Sequence, residues 1–425
     1  MDAPDFDLGR LLAPTEVEAF LREAWQRHSL VIRRDQPAYY ADLFRLADLD
    51  HVVAFSRPRF NETAAFRGGP APAKSYVLGW LPDQQPVPGD VCPGIGELRR
   101  VFAEGKTIII RAMQHRWPAV ASLCRSLEAL FHCPVHTNLY VTPPHSQGFD
   151  AHFDTHEVFA LQIDGVKHWR LYGQAAPLPL AEDKTSLPRS RLGPPQEVRL
   201  EAGDLLYIPR GQAHDACTGA GSSLHLTVGL NVYRWADLLH QALAAITRRD
   251  ARFREALPPG LLVGDAVPAE VGDRFQELVR ALADGACLED AARRLGDQFF
   301  DSLAMLPGAH FVPPAGVEQM DLDTIVARHP GLICRVLVDG QGVVIEFPGG
   351  RVAGPVRIAP ALRFVARSER FPVRALPDLG DDAKLVLARR LVREGVLTIV
   401  GAPEAAGRPA SANGAPQQRK EVFAP

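Results

Sequence analysis

The 425-residue chain has no Cys-x-x-Cys pair. Its six cysteines (Cys92, Cys124, Cys133, Cys217, Cys287 and Cys334) are scattered, which argues against a disulfide framework or a structural zinc site and fits a reducing compartment. No apolar run reaches the roughly 18 residues of a membrane helix. The opening MDAPDFDLGR is acidic and lacks the basic-then-apolar pattern of a secretory signal. A cytoplasmic, soluble chain with no membrane partner is therefore expected. An excess of basic residues is also lacking: Lys and Arg number 47 against 50 Asp and Glu, for a formal charge of −3. That argues against nucleic acid as the main partner. There is no internal repeat. What the chain does have is 46% apolar residues, and a length that implies two or three domains.

Residues 7–50 mix helix and strand. Pro14-Thr15-Glu16-Val17-Glu18 reads as a helix start, and Val17, Phe20, Leu21 and Trp25 recur at helical spacing. Leu30-Val31-Ile32 reads as a short strand. From about residue 105 to 235, short apolar runs broken by Gly, Pro and Asp predict an all-β barrel or sandwich. Residues 236–305 return to helix, with Leu238, Leu239, Ala242, Leu243 and Ile246 on one stripe and further helices around 273–285 and 288–302. A Pro-rich linker is expected at 306–317. A small mixed unit follows at 318–401, with a helix near Leu322–Arg328, strands at Cys334–Val338 and Val343–Phe347, a helix in Ala383–Glu394 and a strand at Val396–Val400. This pattern suggests a winged-helix-like domain. The tail at 402–425, rich in Ala, Pro, Gly and Gln, is expected to be disordered.

The segment Gly148–Tyr172, GFDAHFDTHEVFALQIDGVKHWRLY, carries most of the chemistry. His152 and Asp154 are two apart, so on a strand both side chains leave one face. An imidazole and a carboxylate on a common face, completed by a distant His, make the facial triad of non-haem iron(II) oxygenases, which keeps coordination positions open. His214, after the Gly-Asp turn, apolar strand and Pro-Arg-Gly turn of GDLLYIPRGQAHDA, is the best third ligand. His156 shares the parity of the first two and is its rival, whereas His168 and His225 read as structural histidines, His225 near the site.

Asp164-Gly165 between strand-like runs predicts a two-residue hairpin, with Ile163 facing Val166 and Gln162 facing Lys167. Counting by twos from His152 reaches Gln162, so in the absence of a bulge Lys167 projects from the ligand face. A lysine inside a barrel requires an anion, and the distal carboxylate of 2-oxoglutarate is one. Asn138 and Tyr140 of HTNLYVTPP sit two apart on another strand, and Thr227 of SSLHLTVGLNVY lies on a strand after His214.

These stretches together resemble the JmjC-type ribosomal oxygenases, cupin-fold iron(II)- and 2-oxoglutarate-dependent protein hydroxylases. The likeness runs from FDLGRLLAPTEVEAFLREAWQRHSLVIRRDQPAYYADLF through NLYVTPP, HFDTHEVFALQIDGVKHWRLY and GDLLYIPRGQAHDA to SLHLTVGL. It implies a mainly β catalytic domain of double-stranded β-helix type at 1–235, with an N-terminal helical extension. It further implies a helical dimerisation region at 236–305 and a winged-helix-like domain at 318–401. By the same resemblance His152, Asp154 and His214 bind Fe(II), and Lys167 binds the distal carboxylate of 2-oxoglutarate. Asn138, Tyr140 and Thr227 line the same pocket, and O2 is the second cosubstrate. Some relatives carry Ser two residues beyond the Thr, where this chain has Gly229, which removes a possible hydrogen bond.

The chemistry implied is decarboxylation of 2-oxoglutarate coupled to hydroxylation of a C–H bond, with no catalytic residue required beyond the metal ligands. A protein substrate, a ribosomal protein foremost, is the first reading. A peptide natural product or small molecule is the second. The third is a winged-helix DNA-binding regulator, for which Lys384, Arg389, Arg390 and Arg393 would mark the recognition helix.

Overall fold

The computed structural model describes residues 6–56, 75–78, 94–183, 186–263, 267–304, 316–329 and 331–400. Its contacts divide the chain into two compact units, 1–303 and 304–425. Nearly all of the expected linker and the whole tail at 402–425 lie outside the described residues.

The first unit begins with α1 (Leu8–Leu12), α2 (Val17–Glu23), β1 (Leu30–Ile32) and α3 (Asp48–His51). The side chain of Asp7 caps α1 by accepting from the Arg10 N–H at 2.8 Å. After β2 (Ser75–Leu78), α4 (Ile95–Ala103), β3 (Thr107–Arg111), α5 (Pro118–Phe131) and β4 (Val135–Thr142) comes the long β5 (Glu157–Gln174). Next are β6 (Gln196–Glu201), β7 (Leu205–Ile208), β8 (Gln212–Cys217) and β9 (Ser223–Leu230). The strands bond in the order β1-β7-β5-β9-β4-β3-β2, antiparallel except β2–β3, while β6 and β8 pair with β5 off this path. This is a mainly β domain of antiparallel sheets flanked by helices.

β5 organises the unit, and here the expected hairpin at Asp164-Gly165 is overturned: the strand runs through it. Gln162 pairs with His225 and Asp164 with Leu224, so Ile163 is an extra residue, a β-bulge. Gly165 takes φ +67°, and a Cβ there would lie 2.1 Å from the Ser222 carbonyl oxygen, which explains the glycine. The Gln162 amide donates to the Asp164 carbonyl at 2.8 Å and to Ser223 Oγ at 2.9 Å, satisfying the distorted stretch. The bend lets the first half of β5 pair with β7 and β9 and the second half with β6 and β8. One strand thereby serves both walls of the barrel.

The bulge also fixes which residues point inward. Val158 and Ala160 before it pack with Trp169 and Leu171 after it, together with Val198, Leu200, Leu206 and Ile208. Phe159, Leu161 and Ile163 turn the other way, onto a layer that includes Leu11, Leu12, Phe20, Leu123 and Leu127 from α1, α2 and α5. Each such buried side chain contributes about 1.5–3 kcal/mol of transfer free energy, which locks the register that positions the site.

Helices α6 (Trp235–Arg249), α7 (Ala269–Gly285) and α8 (Leu288–Ser302) complete this unit. The second unit contains β10 (Ile325–Arg328), β11 (Arg335–Val338), β12 (Val343–Phe347), β13 (Gly350–Gly354), α9 (Ala359–Arg367), β14 (Arg370–Pro372), α10 (Asp381–Arg393) and β15 (Leu397–Ile399). They form two three-stranded sheets, β14-β10-β15 and β11-β12-β13. The helix expected at Leu322–Arg328 is replaced by a turn and a strand. Asp321 Oδ1 accepts from the N–H groups of Asp323 at 3.0 Å and Thr324 at 2.8 Å, a local competitor to helix. Val326 is then buried in the middle of its sheet. Among the described residues, no helix is long and apolar enough to cross a membrane.

Candidate metal centre

His152 and Asp154 belong to no named strand, so the strand argument for their shared face does not apply. They lie in the extended approach to β5, and backbone hydrogen bonds hold them. His152 N–H donates to the His214 carbonyl at 3.0 Å, and His214 N–H donates to the His152 carbonyl at 2.7 Å. Gly211, at φ +83° in the Pro-Arg-Gly turn, donates its N–H to the Asp154 carbonyl at 2.8 Å. Two segments some sixty residues apart are thus tied backbone to backbone at the place where their side chains meet.

The two imidazoles lie 4.5 Å apart between centroids, and His214 Nε2 is 3.5 Å from Asp154 Oδ2. One ligand atom from each of His152, Asp154 and His214 lies within 4.8 Å of the others, the one such group of His, Cys, Asp and Glu among the described residues. His152 Nδ1 is 2.9 Å from the Asp150 carbonyl and His214 Nδ1 is 3.0 Å from the Gln212 carbonyl. A carbonyl only accepts, so both Nδ1 atoms carry the proton and both Nε2 lone pairs are left for a metal.

Electrostatics agrees. Burial, then His152, pushes His214 down to about 4, so the ring is neutral at pH 7. Burial alone would raise Asp154, but His156, His214, His152 and His136 together hold its carboxyl below the ordinary value. The donor set is two imidazoles that present Nε2 and one carboxylate, with Trp169 5.9 Å from His214 between ring centroids. This set fits a first-row divalent ion with positions left open.

Deeper in the barrel lies Lys167, 3% exposed. Its Nζ donates to Thr142 Oγ1 at 2.7 Å, and among the described residues no carboxylate pairs with it. Burial pushes it down to about 7, with only Cys217 opposing. Nearby, buried His225 stacks on Tyr140 at 4.7 Å and 2°, with Trp169 edge-on at 5.6 Å. Its Nδ1 has no hydrogen-bond partner among the described residues. A cation lacking a countercharge and an orphaned imidazole nitrogen, both sealed from water, fit the distal carboxylate of a dicarboxylate. The Tyr140 hydroxyl interacts with Thr227 and Asn138, and burial pushes it up to about 12, so it stays protonated.

The structure thus brings together His152, Asp154, His214, Lys167, Asn138, Tyr140 and Thr227. Lys167 reaches the interior by a route other than the expected hairpin: the bulge at Ile163 restores the parity that a continuous strand would have lost. Thr142 and His225 lie among these residues; Thr142 was not singled out in the sequence, and His225 was placed only near the site. Alternation along SSLHLTVGL puts His225 on the face of Thr227 and could have found it. His168 lies beside Gly219, away from the metal group, and His156 is outside that group but close to Asp154.

The chain matches the JmjC domain over residues 112–238, which enclose all of these residues. It is 33% identical over 308 residues to ribosomal oxygenase 1 of Gallus gallus, covering 68% of this chain and 49% of that protein. To ribosomal oxygenase 2 of Mus musculus it is 33% identical over 301 residues, covering 67% and 61%. To the bifunctional lysine-specific demethylase and histidyl-hydroxylase of Aedes aegypti it is 32% identical over 307 residues, covering 68% and 46%. The chain spans about half of the length of most of these relatives. Its fold is similar to that of ycfD of Escherichia coli, with TM-score 0.52 and 20% identity over 91% of this chain and 98% of that one. The chain therefore carries a JmjC domain that contains the whole His-Asp-His group, and it is similar to ribosomal oxygenases, at about one-third identity, well beyond that domain.

Proposed function

We propose that this protein is an Fe(II)- and 2-oxoglutarate-dependent oxygenase that hydroxylates a side chain of a protein substrate, a ribosomal protein. The observation that carries this reading is the pairing of a metal-binding triad with Lys167, a sealed cation that lies deeper in the same barrel and has no carboxylate partner. Such an arrangement suits a cosubstrate that grips a metal at one end and needs a cation at the other. When bound, iron and 2-oxoglutarate supply decarboxylation coupled to insertion of oxygen into a C–H bond. His152, Asp154 and His214 would hold the metal. Lys167, with Thr142 and His225, takes the distal carboxylate, and Asn138, Tyr140 and Thr227 line the wall between. No side chain has to remove a proton from the substrate carbon, in keeping with a pocket whose histidine and tyrosine are held neutral by burial.

The relatives' names join hydroxylation with lysine demethylation, and both begin with oxygen insertion. A demethylated product loses a carbon where a hydroxylated one gains an oxygen. Mass spectrometry of ribosomal proteins from cells with and without the active protein tests the reading, and the expected result is one added oxygen on one polypeptide. An oxygenated metabolite with no polypeptide change would replace the substrate with a small molecule.

The protein acts in the cytoplasm and as a two-fold dimer in this reading. On the α6 stripe, Ala242 and Ile246 are buried, while Leu239 and Leu243 are exposed, as is nearby Trp235. A second copy covering them would make a closed pair. The second unit serves as a winged-helix-like docking domain and does not read DNA. Arg389 donates to the Glu318 and Met320 carbonyls, and Arg393 pairs with Glu318, Arg390 with Glu394 and Lys384 with Asp381. The cations that would have met phosphates are engaged within their own unit.

A further inference from the structure

The inner faces of β4, β9 and β5 align in rungs. From the deep end they run Thr142 and Ser223, then Tyr140, His225 and Gln162, then Asn138, Thr227 and Ala160, and last His136, Gly229 and Val158. Along β4 the inward residues pass from buried Thr142 to partly exposed Tyr140, Asn138 and His136, while Ser223, His225 and Gly229 of β9 and Gln162, Ala160 and Val158 of β5 are buried. On the β4 side the last rung therefore lies toward the mouth of the barrel, and at its centre is Gly229.

Backbone conformation does not demand glycine at 229, because its φ is outside the left-handed region; space does. A Cβ there would lie 2.4 Å from His136 Cε1, 2.6 Å from His136 Nε2 and 2.6 Å from His156 Cδ2. The two rings meet edge to face over the bare Cα, 4.7 Å between centroids and 63° between planes. His136 is tethered, its Nδ1 3.0 Å from the Asn231 amide nitrogen. His156 follows Asp154 by two residues, so the ring pair stands beside a metal ligand without belonging to the ligand group. Two rings packed onto a glycine fill the space that a side chain at 229 would need.

Resting on the protein-oxygenase reading, we propose that His136 and His156 are specificity-determining residues: they form the wall against which the substrate side chain lies beside the metal, and position 229 is glycine to admit them. Any side chain at 229 must displace both rings from that wall. The pair narrows the mouth and lines it with flat rings, so it selects which polypeptide side chain reaches the metal. It leaves the cosubstrate end, three rungs deeper, untouched.

The test uses the full chain with iron(II), 2-oxoglutarate and proteins stripped from bacterial ribosomes, read by mass spectrometry for oxygen gain. In parallel, 2-oxoglutarate affinity of the cobalt(II)-loaded protein is measured by calorimetry. Gly229→Ser, His136→Ala and His156→Ala should each cut oxygen gain at the wild-type position by about tenfold or more, the scale on which pocket walls discriminate. Cosubstrate affinity should change by less than about threefold, as expected of separated sites. Should Gly229→Ser fail to fold, the two alanine variants, which only create space, decide the question. Wild-type oxygen gain in the double alanine variant overturns the inference. So does a loss of cosubstrate affinity parallel to the loss of oxygen gain, since the pair would then support the metal site instead. No oxygen gain by the wild-type protein refutes the protein-oxygenase reading itself, and the inference falls with it.

Discussion

Replacing Lys167 should separate stability from function, with opposite signs. In the folded protein its ammonium is 3% exposed, held by one hydroxyl and pushed down by burial to about 7. The unfolded-chain value is about 10.4, so the charged form is disfavoured by folding. The penalty is fully present below pH 7 and fades as pH rises toward about 10.4; at ~1.4 kcal/mol per unit it is about 5 kcal/mol at most. Lys167→Met should therefore melt at a higher temperature than wild type at pH 6. The same change removes the countercharge of a buried carboxylate, a loss of roughly 2–5 kcal/mol, or about 30-fold to a few thousand-fold in 2-oxoglutarate affinity. Calorimetric titration of 2-oxoglutarate into the cobalt(II)-loaded protein under nitrogen reads that loss directly. Because the bound anion raises the ammonium's pKa, binding takes up a proton near and above pH 7. Wild-type affinity should accordingly fall with rising pH by up to about tenfold per unit, and Lys167→Met should be flat. A variant that melts lower at pH 6 and keeps wild-type affinity would refute the reasoning.

Other consequences are direct. His152→Ala, Asp154→Ala and His214→Ala should each abolish tight cobalt(II) binding while His156→Ala retains it; a spectroscopic titration in which His156→Ala alone loses the metal would reassign the third ligand. Gly165→Ala adds a Cβ 2.1 Å from the Ser222 carbonyl oxygen at a positive φ and should destabilise the first unit by ~2 kcal/mol or more, seen as a lower urea midpoint. An unchanged midpoint would mean that the bulge is not needed for the turn of β5. Trp235→Asp with Leu239→Asp should convert a dimer to a monomer in light scattering, and a wild-type protein that is already monomeric removes the dimer.

Much of the site was legible because its signals are local. His152-Phe153-Asp154 and the run from Gly203 to His214 carry their own turns, and the glycines at 203 and 211 adopt the positive φ that those turns require. The inward face of Lys167 was reached by counting, although the count passed through a hairpin that does not exist. A two-residue turn and a one-residue bulge both leave Gln162 and Lys167 facing the same way, so parity alone could not tell them apart. His225 was underrated because its strand fixes its face, while its value depends on Tyr140 and Lys167, which are distant in the chain. The helix expected at Leu322–Arg328 failed where an Asp side chain captured the backbone and two long-range strands then claimed the rest.

Composition and local pattern by themselves determined a mainly β domain followed by helices and a small mixed unit, and the chemical kind of its centre. Residue type sets what an atom can bind, whereas the meeting of His152 and Asp154 with His214 rests on backbone bonds to a distant segment and not on a strand spacing of two. Only the tertiary structure decided that β5 passes unbroken between two walls and that Gly211 clamps Asp154. It alone decided that Gly229 is small because His136 and His156 occupy its space. Those facts depend on register between strands tens of residues apart, set by the burial of Phe159, Leu161 and their neighbours, an energy shared over the whole core and written in no single stretch of chain.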